Sequence, residues 1–389
     1  MHYSSNAFHP KKLYVLFFLL FSFFSAIFCG FTKVNNLFHL SAILFIITLY
    51  LDKDLRMSFF RHRETRWGLA LIGAMLLYFA CSNLWTDDPG NIESTLTHSI
   101  YLLLYLGMLI TVLSGPQRNL LLISIVMGLT ILCLYTLCFD YQDILINRTV
   151  SKNNPGPENV IDLAGLAGIG VILSLIAFRE KKNAKILIAI PILFGTMLLT
   201  QSRGPVLSLL IALLVTLPFK QLKLKHLAYF VIAQAIVAAA VLISPIGHLF
   251  LTRFEEMYVQ SFLRVSIWRH TFELVSQAPY FGYGFNYELD FTNYSGEHIR
   301  TTHSLYWGAL LKGGIVGLGL LLAVLSYCGS LVVRHMRNGM RLEAALFIFM
   351  LLFYSSQGMF MIGNPAEFWY LFWFTLGVAI TPKLKPQTC

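Results

Sequence analysis

The sequence predicts an all-α polytopic integral membrane protein with about twelve transmembrane helices. Of its 389 residues, 57% are hydrophobic and 12% are charged, whereas soluble domains carry roughly 25% charged residues. Apolar runs close to the roughly 20 residues that cross a bilayer as a helix recur along the whole chain. Backbone polar groups inside lipid need partners within their own segment, so these runs are expected to be helices.

Twelve apolar runs are the candidate helices. The first run follows Lys11 and Lys12 and lacks a small-residue cleavage site, so it is expected to remain as an uncleaved helix. The eighth run is short, and the tenth is long enough to project beyond the membrane. The runs lie at about residues 12–29, 36–51, 67–83, 98–114, 119–139, 160–178, 184–200, 205–218, 226–243, 304–333, 342–361 and 366–381.

The distribution of charge predicts the orientation of these helices. With the N-terminus in the cytoplasm, 20 of the 29 Lys and Arg residues fall in segments that face the cytoplasm and 8 fall outside. Short cytoplasmic loops carry such an excess of basic residues. The formal charge of +10 therefore indicates membrane topology, and nucleic acid is not an expected partner. Both termini are predicted to be cytoplasmic.

Three parts follow from this topology. Residues 1–243 hold transmembrane helices 1 to 9, and residues 304–389 hold helices 10 to 12 and a cytoplasmic tail. Between helices 9 and 10, residues 244–303 form the one large periplasmic segment. It contains "RFEEMYVQSFLRVSIWRHTFELVSQAP", whose apolar spacing predicts an amphipathic helix along the membrane surface. A loop rich in Gly, Tyr and Asn follows.

Two arginines on the predicted outer side are candidate anion ligands. Arg203 lies in "TQSRGP", on the side where basic residues are rare. Its guanidinium matches the geometry of phosphate oxygens, and Gly204 lets a bulky anion approach the backbone. Arg264, four residues before Trp268, is the second candidate. Each arginine is equally compatible with an interfacial side chain that contacts lipid headgroups.

His303, in "IRTTHSLYWG", stands where the outer loop enters the next helix. A lone histidine at the entrance of a helix is most often a structural hydrogen-bonding residue. Asp87 and Asp88 precede Pro89, as in an ordinary turn, and the six cysteines lack the spacing of disulfide or metal sites. No metal and no cofactor are therefore predicted. Ionisable residues are nearly absent from the helices, which disfavours an ion-coupled transporter.

Three motifs in a fixed order resemble the conserved core of the O-antigen ligase and O-antigen polymerase superfamily. They are "TQSRG", then "LRVSIWRHTFELVSQAPYFGYGFN", then "THSLYWGALLKGGIVGLG". The resemblance covers roughly residues 196–320 by motif and the remainder by hydropathy and helix count. Many members carry Asn after the histidine, where this chain has Ser304.

The resemblance implies a glycosyltransferase in the bacterial inner (cytoplasmic) membrane, acting in lipopolysaccharide biosynthesis. It would transfer polysaccharide from undecaprenyl diphosphate to a lipid A-core sugar hydroxyl on the periplasmic face, by a metal-independent inverting mechanism. Arg203 and Arg264 would hold the diphosphate and His303 would activate the hydroxyl, with Arg300, Trp268 and Gly204 in support. An O-antigen polymerase or a protein O-oligosaccharyltransferase would share this chemistry with another acceptor. A membrane transporter is the alternative of a different class.

Overall fold

A computed structural model describes residues 10–86, 91–218, 232, 257–293, 296, 298–357 and 362–382. Within these ranges seven helices are long and apolar enough to cross a membrane, and three shorter apolar helices lie at Ala184–Leu199, Arg203–Thr216 and Trp369–Ile380. The predicted all-α membrane fold is therefore confirmed. The predicted run 226–243 lies outside the described residues, so the number of twelve spanning helices stays a prediction.

The described helices follow the predicted runs with a few differences in their bounds. They are α1 (Pro10–Ile27), α2 (Thr32–Leu51), α3 (Lys53–Arg61), α4 (Arg63–Cys81), α5 (Ile92–Ser114), α6 (Arg118–Tyr135), α7 (Tyr141–Asn147), α8 (Val160–Lys181), α9 (Ala189–Leu199), α10 (Arg203–Thr216), α11 (Met257–Gln277), α12 (Leu305–Arg337), α13 (Arg341–Phe353) and α14 (Thr375–Ile380). Turns of 3₁₀-helix occupy Ser82–Trp85 and Ala184–Ile188, and π-helical turns occupy Thr136–Asp140 and Trp369–Phe374.

Helix α8 lies at the centre of the bundle. In its most apolar stretch of 18 residues, 83% of the residues are buried, against 39–56% in the other candidate spans. Glycines on α8 let aromatic side chains pack against its backbone: a Cβ at Gly168 would lie 2.6 Å from the Phe349 ring, and one at Gly165 would lie 2.8 Å from the Phe353 ring. Helices α6, α9, α10 and α13 surround it. A helix that is apolar on every side is typical of such a buried position.

Four charged side chains form a buried cluster where α6, α8 and α13 meet. Arg118 Nη2 lies 2.6 Å from Glu180 Oε1 and 2.9 Å from Glu343 Oε1. Arg179 Nη1 donates to Glu343 Oε2 at 2.9 Å. Both glutamate side chains are only 2% exposed, which is tolerable because each carboxylate is paired with arginine. We call these four residues the inner cluster. All four come from helix ends that the sequence predicts to be cytoplasmic.

Contacts at the other end of the bundle join segments that are predicted to lie outside. The Cys29 amide donates to the Pro155 carbonyl at 2.9 Å, His98 lies 3.1 Å from Asn364, and Gln201 Nε2 donates to the Leu145 carbonyl at 2.8 Å. These contacts agree with the predicted alternation of the helices between two faces. Which of the two faces is cytoplasmic stays a prediction.

Three features of the fold differ from expectation. Helix α3 occupies a predicted cytoplasmic loop; the Asp52 carboxylate caps it by accepting from the Leu55 amide at 2.9 Å. Helix α13 ends at Phe353 rather than near residue 361. Just after its last residue, the Ser355 hydroxyl donates to the Leu352 carbonyl at 2.6 Å. Helix α12 is interrupted by non-helical Gly314.

The described part of residues 244–303 contains one helix and a small unpredicted hairpin. Helix α11 lies inside the stretch that was expected to be amphipathic, although residues 244–256 are outside the described range. Two short strands, β1 (Phe291–Thr292) and β2 (His298–Ile299), pair antiparallel within the Gly-, Tyr- and Asn-rich loop. Two residues a strand are too few for the period-2 pattern of a strand to be recognised in a sequence.

Candidate functional site

Arg203 is the first residue of α10, so it belongs to a helix rather than to the predicted gap between helices. The preceding turn is held by Gln201, whose side-chain amide donates to the Leu145 carbonyl at 2.8 Å. The amino end of a helix carries partial positive charge, and its first backbone N–H groups have no partner within the helix. A half-buried arginine at this point therefore adds a full charge to an end that already favours anions.

The turn after α13 connects the Arg203 segment to the His303 segment. The Tyr354 carbonyl accepts a hydrogen bond from the Leu305 amide at 3.0 Å. On the other side of this turn, Ser356 Oγ lies 3.8 Å from the position that a Cβ at Gly204 would take. Residues 354–356 therefore lie between the start of α10 and the start of α12, and bring both candidate residues to the same end of the bundle.

His303 has an unusual backbone conformation, with φ of +47°. It precedes a helix: Ser304, which follows it, is the buried N-cap residue of α12. The other described non-glycine residues with positive φ follow helix C-termini, where the left-handed conformation is ordinary. These are Arg148, Lys182 and Gln201.

The left-handed φ of His303 needs support from the residues around it. Histidine tolerates this conformation better than most residues, but a non-glycine residue is held there only when its surroundings fix it. The neighbouring Thr302 hydroxyl donates to the Ser304 carbonyl at 2.8 Å and bridges the turn. This turn thus holds the backbone of His303 directly before α12.

Helix α11 is attached to the same turn through Trp268. Its indole N–H donates to the Thr302 carbonyl at 3.0 Å, and its ring stacks on Trp307 with centroids 6.3 Å apart. Arg264 lies about one turn before Trp268 on α11. Burial lowers the pKa of Arg264 from its ordinary value, yet a guanidinium stays charged at physiological pH. The structure therefore brings the helix that carries Arg264 against the residue next to His303.

The loop around Gly282 crosses α12 at the break in that helix, at Gly314. Gly314 has φ +61° and ψ −161°, a region that is open essentially to glycine alone. The break frees the amides of Ile315 and Val316, which donate to the carbonyls of Pro279 and Tyr280 at 2.8 and 3.2 Å. A Cβ on Gly282 would lie 2.5 Å from the Gly314 nitrogen. Both glycines are thus required for one backbone to cross the other; we call this contact the glycine crossing.

Lys312 binds the backbone of Phe285, in the loop that forms this crossing, a role that was not predicted from the sequence. Its side chain is buried, its ammonium donates to the Phe285 carbonyl, and the same group lies 5.0 Å from the centroid of the Phe285 ring. The Phe285 amide donates to Ser82 Oγ at 2.9 Å, which ties the loop to the end of α4. A lysine within an apolar run was the available signal, because such a residue needs a specific partner.

Two carboxylates border the turn after α13 and were also missed as site residues. Asp162, in the first turn of α8, is hydrogen-bonded to the buried Gln357 side chain. Glu367 is close enough to Tyr354 to interact with it electrostatically, as is Asp162. These groups supply hydrogen-bond acceptors beside the turn after α13.

The remaining candidates are less closely associated with His303. Arg300 is exposed and its Nη1 lies 3.8 Å from Glu288 Oε2 beside the small hairpin, so no described contact joins it to the other site residues. Asp87 and Asp88 fall outside the described ranges. Within those ranges no group of three or more His, Cys, Asp or Glu side chains is arranged to hold a metal ion. Metal independence remains a prediction.

Comparison with known proteins finds a similarity to O-antigen ligases. Residues 186–322 match the family model described as O-Antigen ligase. A protein of Pseudomonas aeruginosa named O-antigen ligase is 25% identical over 195 residues, which cover 49% of this chain and 46% of that protein. The predicted resemblance to the O-antigen ligase superfamily is confirmed.

The region matched by the O-antigen ligase family contains every residue on which the candidate site depends most. Arg203, Arg264 and His303 all lie within residues 186–322, as does the glycine crossing. The match extends over only about half the length of the P. aeruginosa relative. Together with the seven described helices that are long and apolar enough to cross a membrane, this similarity indicates a multi-pass membrane protein.

Proposed function

We propose that this protein is an O-antigen ligase. It transfers a polysaccharide from undecaprenyl diphosphate to a sugar hydroxyl of lipid A-core on the periplasmic face of the inner membrane. The observation that carries the proposal is the turn at residues 354–356, which lies between the start of α10, with Arg203, and the start of α12, with His303. The name of the P. aeruginosa relative favours a ligase over a polymerase.

Arg203 and Arg264 bind the diphosphate of the donor. The bond between the anomeric carbon and the diphosphate oxygen breaks during transfer, and the electron pair stays on the diphosphate. The leaving group therefore gains negative charge, and fixed cations beside it stabilise the transition state. The amino end of α10 contributes in the same sense. The linkage between the sugar and the diphosphate is already activated by its good leaving group, so no nucleotide is needed.

His303 acts as the general base. The acceptor hydroxyl oxygen forms the new bond to the anomeric carbon on the face opposite the diphosphate, and its proton passes to the neutral imidazole. The configuration at the anomeric carbon is thereby inverted. Asp162 and Glu367, on the other side of the turn, are suited to accept hydrogen bonds from sugar hydroxyls.

An apolar pocket beside the glycine crossing suits the isoprenoid chain of the donor. Its volume is about 570 Å³, and it is lined by Tyr78, Trp85 and residues 278–282. Trp85 and Phe281 are exposed and contact each other edge to face at 6.1 Å. Exposed aromatic rings at the outer membrane surface are typical of a lipid-facing interface.

Deletion of the gene, followed by a lipopolysaccharide gel, tests the function. Loss of a ligase leaves bare lipid A-core and accumulates lipid-linked polymer, whereas loss of a polymerase leaves core with a single repeat unit. A protein-glycosylating enzyme or a transporter leaves the ladder unchanged. Purified protein should also transfer glycan in detergent without an ion gradient and in the presence of EDTA. A strict requirement for a divalent metal would contradict the mechanism.

The base is tested by His303→Asn and His303→Gly. Both residues adopt a left-handed backbone readily, so they retain the turn and remove the imidazole. Transfer is expected to fall about 10²–10⁴-fold, while the protein inserts and binds donor normally. His298→Asn, on exposed β2, is the matched control. Wild-type activity should also fall as acid protonates the base, and transfer close to the wild-type rate by folded His303→Asn would exclude the base role.

A further inference from the structure

A second cavity lies at the end of the bundle opposite Arg203 and His303. Its volume is about 740 Å³, and it lies between α1, α3, α4 and the carboxyl end of α5. Gln117, on its wall, directly precedes Arg118 of the inner cluster. The cavity therefore opens on the predicted cytoplasmic face, and the glycan-transfer mechanism makes no use of it.

The polar side of this cavity carries positive charge. Lys11, Lys12 and His62 contribute to its lining, and none of the described lining residues is acidic. Lys11 is paired with Asp52, with 3.1 Å between Nζ and Oδ2. Lys12 is exposed and forms no ion pair with any residue in the described ranges. A cation thus remains available at the mouth of the cavity.

The opposite side of the cavity is apolar. Leu16 and Leu19 of α1, Leu55 and Phe59 of α3, and Val112 of α5 form its walls. An anion as small as inorganic phosphate would leave these walls in contact with water, at a cost that scales with their apolar area. The combination of cationic mouth and apolar wall matches a molecule with an anionic head and a hydrocarbon tail.

Helix α3 places the entrance at the level of the membrane surface. It is short and carries Lys53, Arg56 and Arg61 together with exposed Met57 and Phe60. Such a helix lies in the interface, with its apolar residues in the acyl region and its basic residues among the headgroups. Its inner residues, Leu55 and Phe59, face the cavity. A lipid of the cytoplasmic leaflet therefore meets the cavity without leaving the membrane.

We propose that this cavity binds one anionic glycerophospholipid of the cytoplasmic leaflet. The phosphate of the headgroup contacts the Lys12 ammonium and the Gln117 amide, and an acyl chain lies along α1 and α3. Basic pockets between transmembrane helices on the cytoplasmic side bind anionic headgroups in this way. A zwitterionic lipid has the same tail, but its own cationic headgroup is repelled by the lysines.

Native mass spectrometry of the full-length protein tests the proposal. The protein is equilibrated in detergent with equal amounts of phosphatidylglycerol, which is anionic, and phosphatidylethanolamine, which is zwitterionic. Wild type should retain one phosphatidylglycerol in preference. Lys12→Gln should reduce that preference about fivefold, the effect of one basic residue near a lipid surface. Lys33→Gln, the same change at an exposed residue on the predicted outer side, should leave it unaltered.

A second variant tests the apolar wall independently of charge. Leu19→Trp fills part of the cavity and should lower retention of phosphatidylglycerol while Lys12 is intact. Soluble glycerol phosphate in excess should not displace the lipid; displacement would assign the site to a free phosphate compound and overturn the proposal. Equal retention of the two lipids by wild type, or unchanged preference in Lys12→Gln, would also refute it. None of these readouts depends on glycan transfer, so they are independent of the proposed ligase activity.

Discussion

Substitution of Gly314 by alanine is expected to open the glycine crossing. An alanine at this position would have to keep φ +61° and ψ −161°, and its methyl group would overlap the carbonyl of Tyr280. That atom belongs to the backbone, so no side-chain rotation can relieve the overlap. The loop must move away from α12, and the two hydrogen bonds from Ile315 and Val316 are then lost.

The structure gives the size of this effect. A residue held in a glycine-only region costs about 1–3 kcal/mol, and each lost backbone hydrogen bond costs about 1 kcal/mol. The crossing is therefore destabilised by about 3–5 kcal/mol. Since about 1.4 kcal/mol corresponds to a factor of ten in a local opening equilibrium, the amides of Ile315 and Val316 should exchange at least about 10²-fold faster with solvent.

Hydrogen exchange measured by mass spectrometry on peptides spanning 311–318 is the direct assay. Gly319→Ala, five residues further along α12, is the matched control, because nothing lies within 4 Å of its Cβ position and its φ is not positive. This control should exchange no faster than wild type, since alanine is the better helix former. If Gly314→Ala retains wild-type protection at residues 315 and 316, the steric reasoning is wrong.

Three further predictions concern the inner cluster, the arginines and the topology. Glu343→Gln should destabilise the protein by about 2–4 kcal/mol, because two buried arginines are then left to share one carboxylate, that of Glu180. Glu64→Gln, in a partly exposed pair, should cost about 0–1 kcal/mol, as compared by thermal unfolding in detergent. Arg264→Ala should lower transfer from lipid-linked donor about 10²–10³-fold, while Arg269→Ala, exposed on the same helix, should not; equal losses would contradict diphosphate binding. Single cysteines introduced at residues 60, 182 and 337 should react with an impermeant reagent only from the cytoplasm. Those at residues 153 and 290 should react only from outside, and labelling of both sets from one side would refute the topology.

The sequence predicted most of the helices because bilayer thickness dictates their length. An apolar run close to 20 residues needs no information about its neighbours to be recognised. The break at Gly314 and the end of α13 at Phe353 were not predicted, because both lie inside continuous apolar runs. The break depends on Tyr280, whose backbone crosses at that point, and hydropathy contains no information on such contacts.

The candidate site was predicted from its charges and motif order rather than from its geometry. Arg203 and Arg264 were recognised because basic residues are rare on the predicted outer side. His303 was recognised by its position, but its left-handed backbone depends on the turn around it and is not encoded in a local pattern. Asp162 was overlooked because only the fold brings Gln357, nearly two hundred residues further along the chain, into hydrogen-bonding contact with it.

The inner cluster can form only late in synthesis, because its last member, Glu343, lies near the end of the chain. Arg179 and Glu180 leave the ribosome long before Glu343, and at about 5–20 residues per second the interval is on the order of ten to thirty seconds. Until α13 arrives, Glu180 is the one carboxylate of the inner cluster that can pair with Arg118 and Arg179. The same helix ends in the turn that connects the Arg203 and His303 segments. A nascent chain that has not yet inserted α13 therefore lacks a closed inner face and an assembled outer site, so catalytic competence can arise only in the last moments of biogenesis.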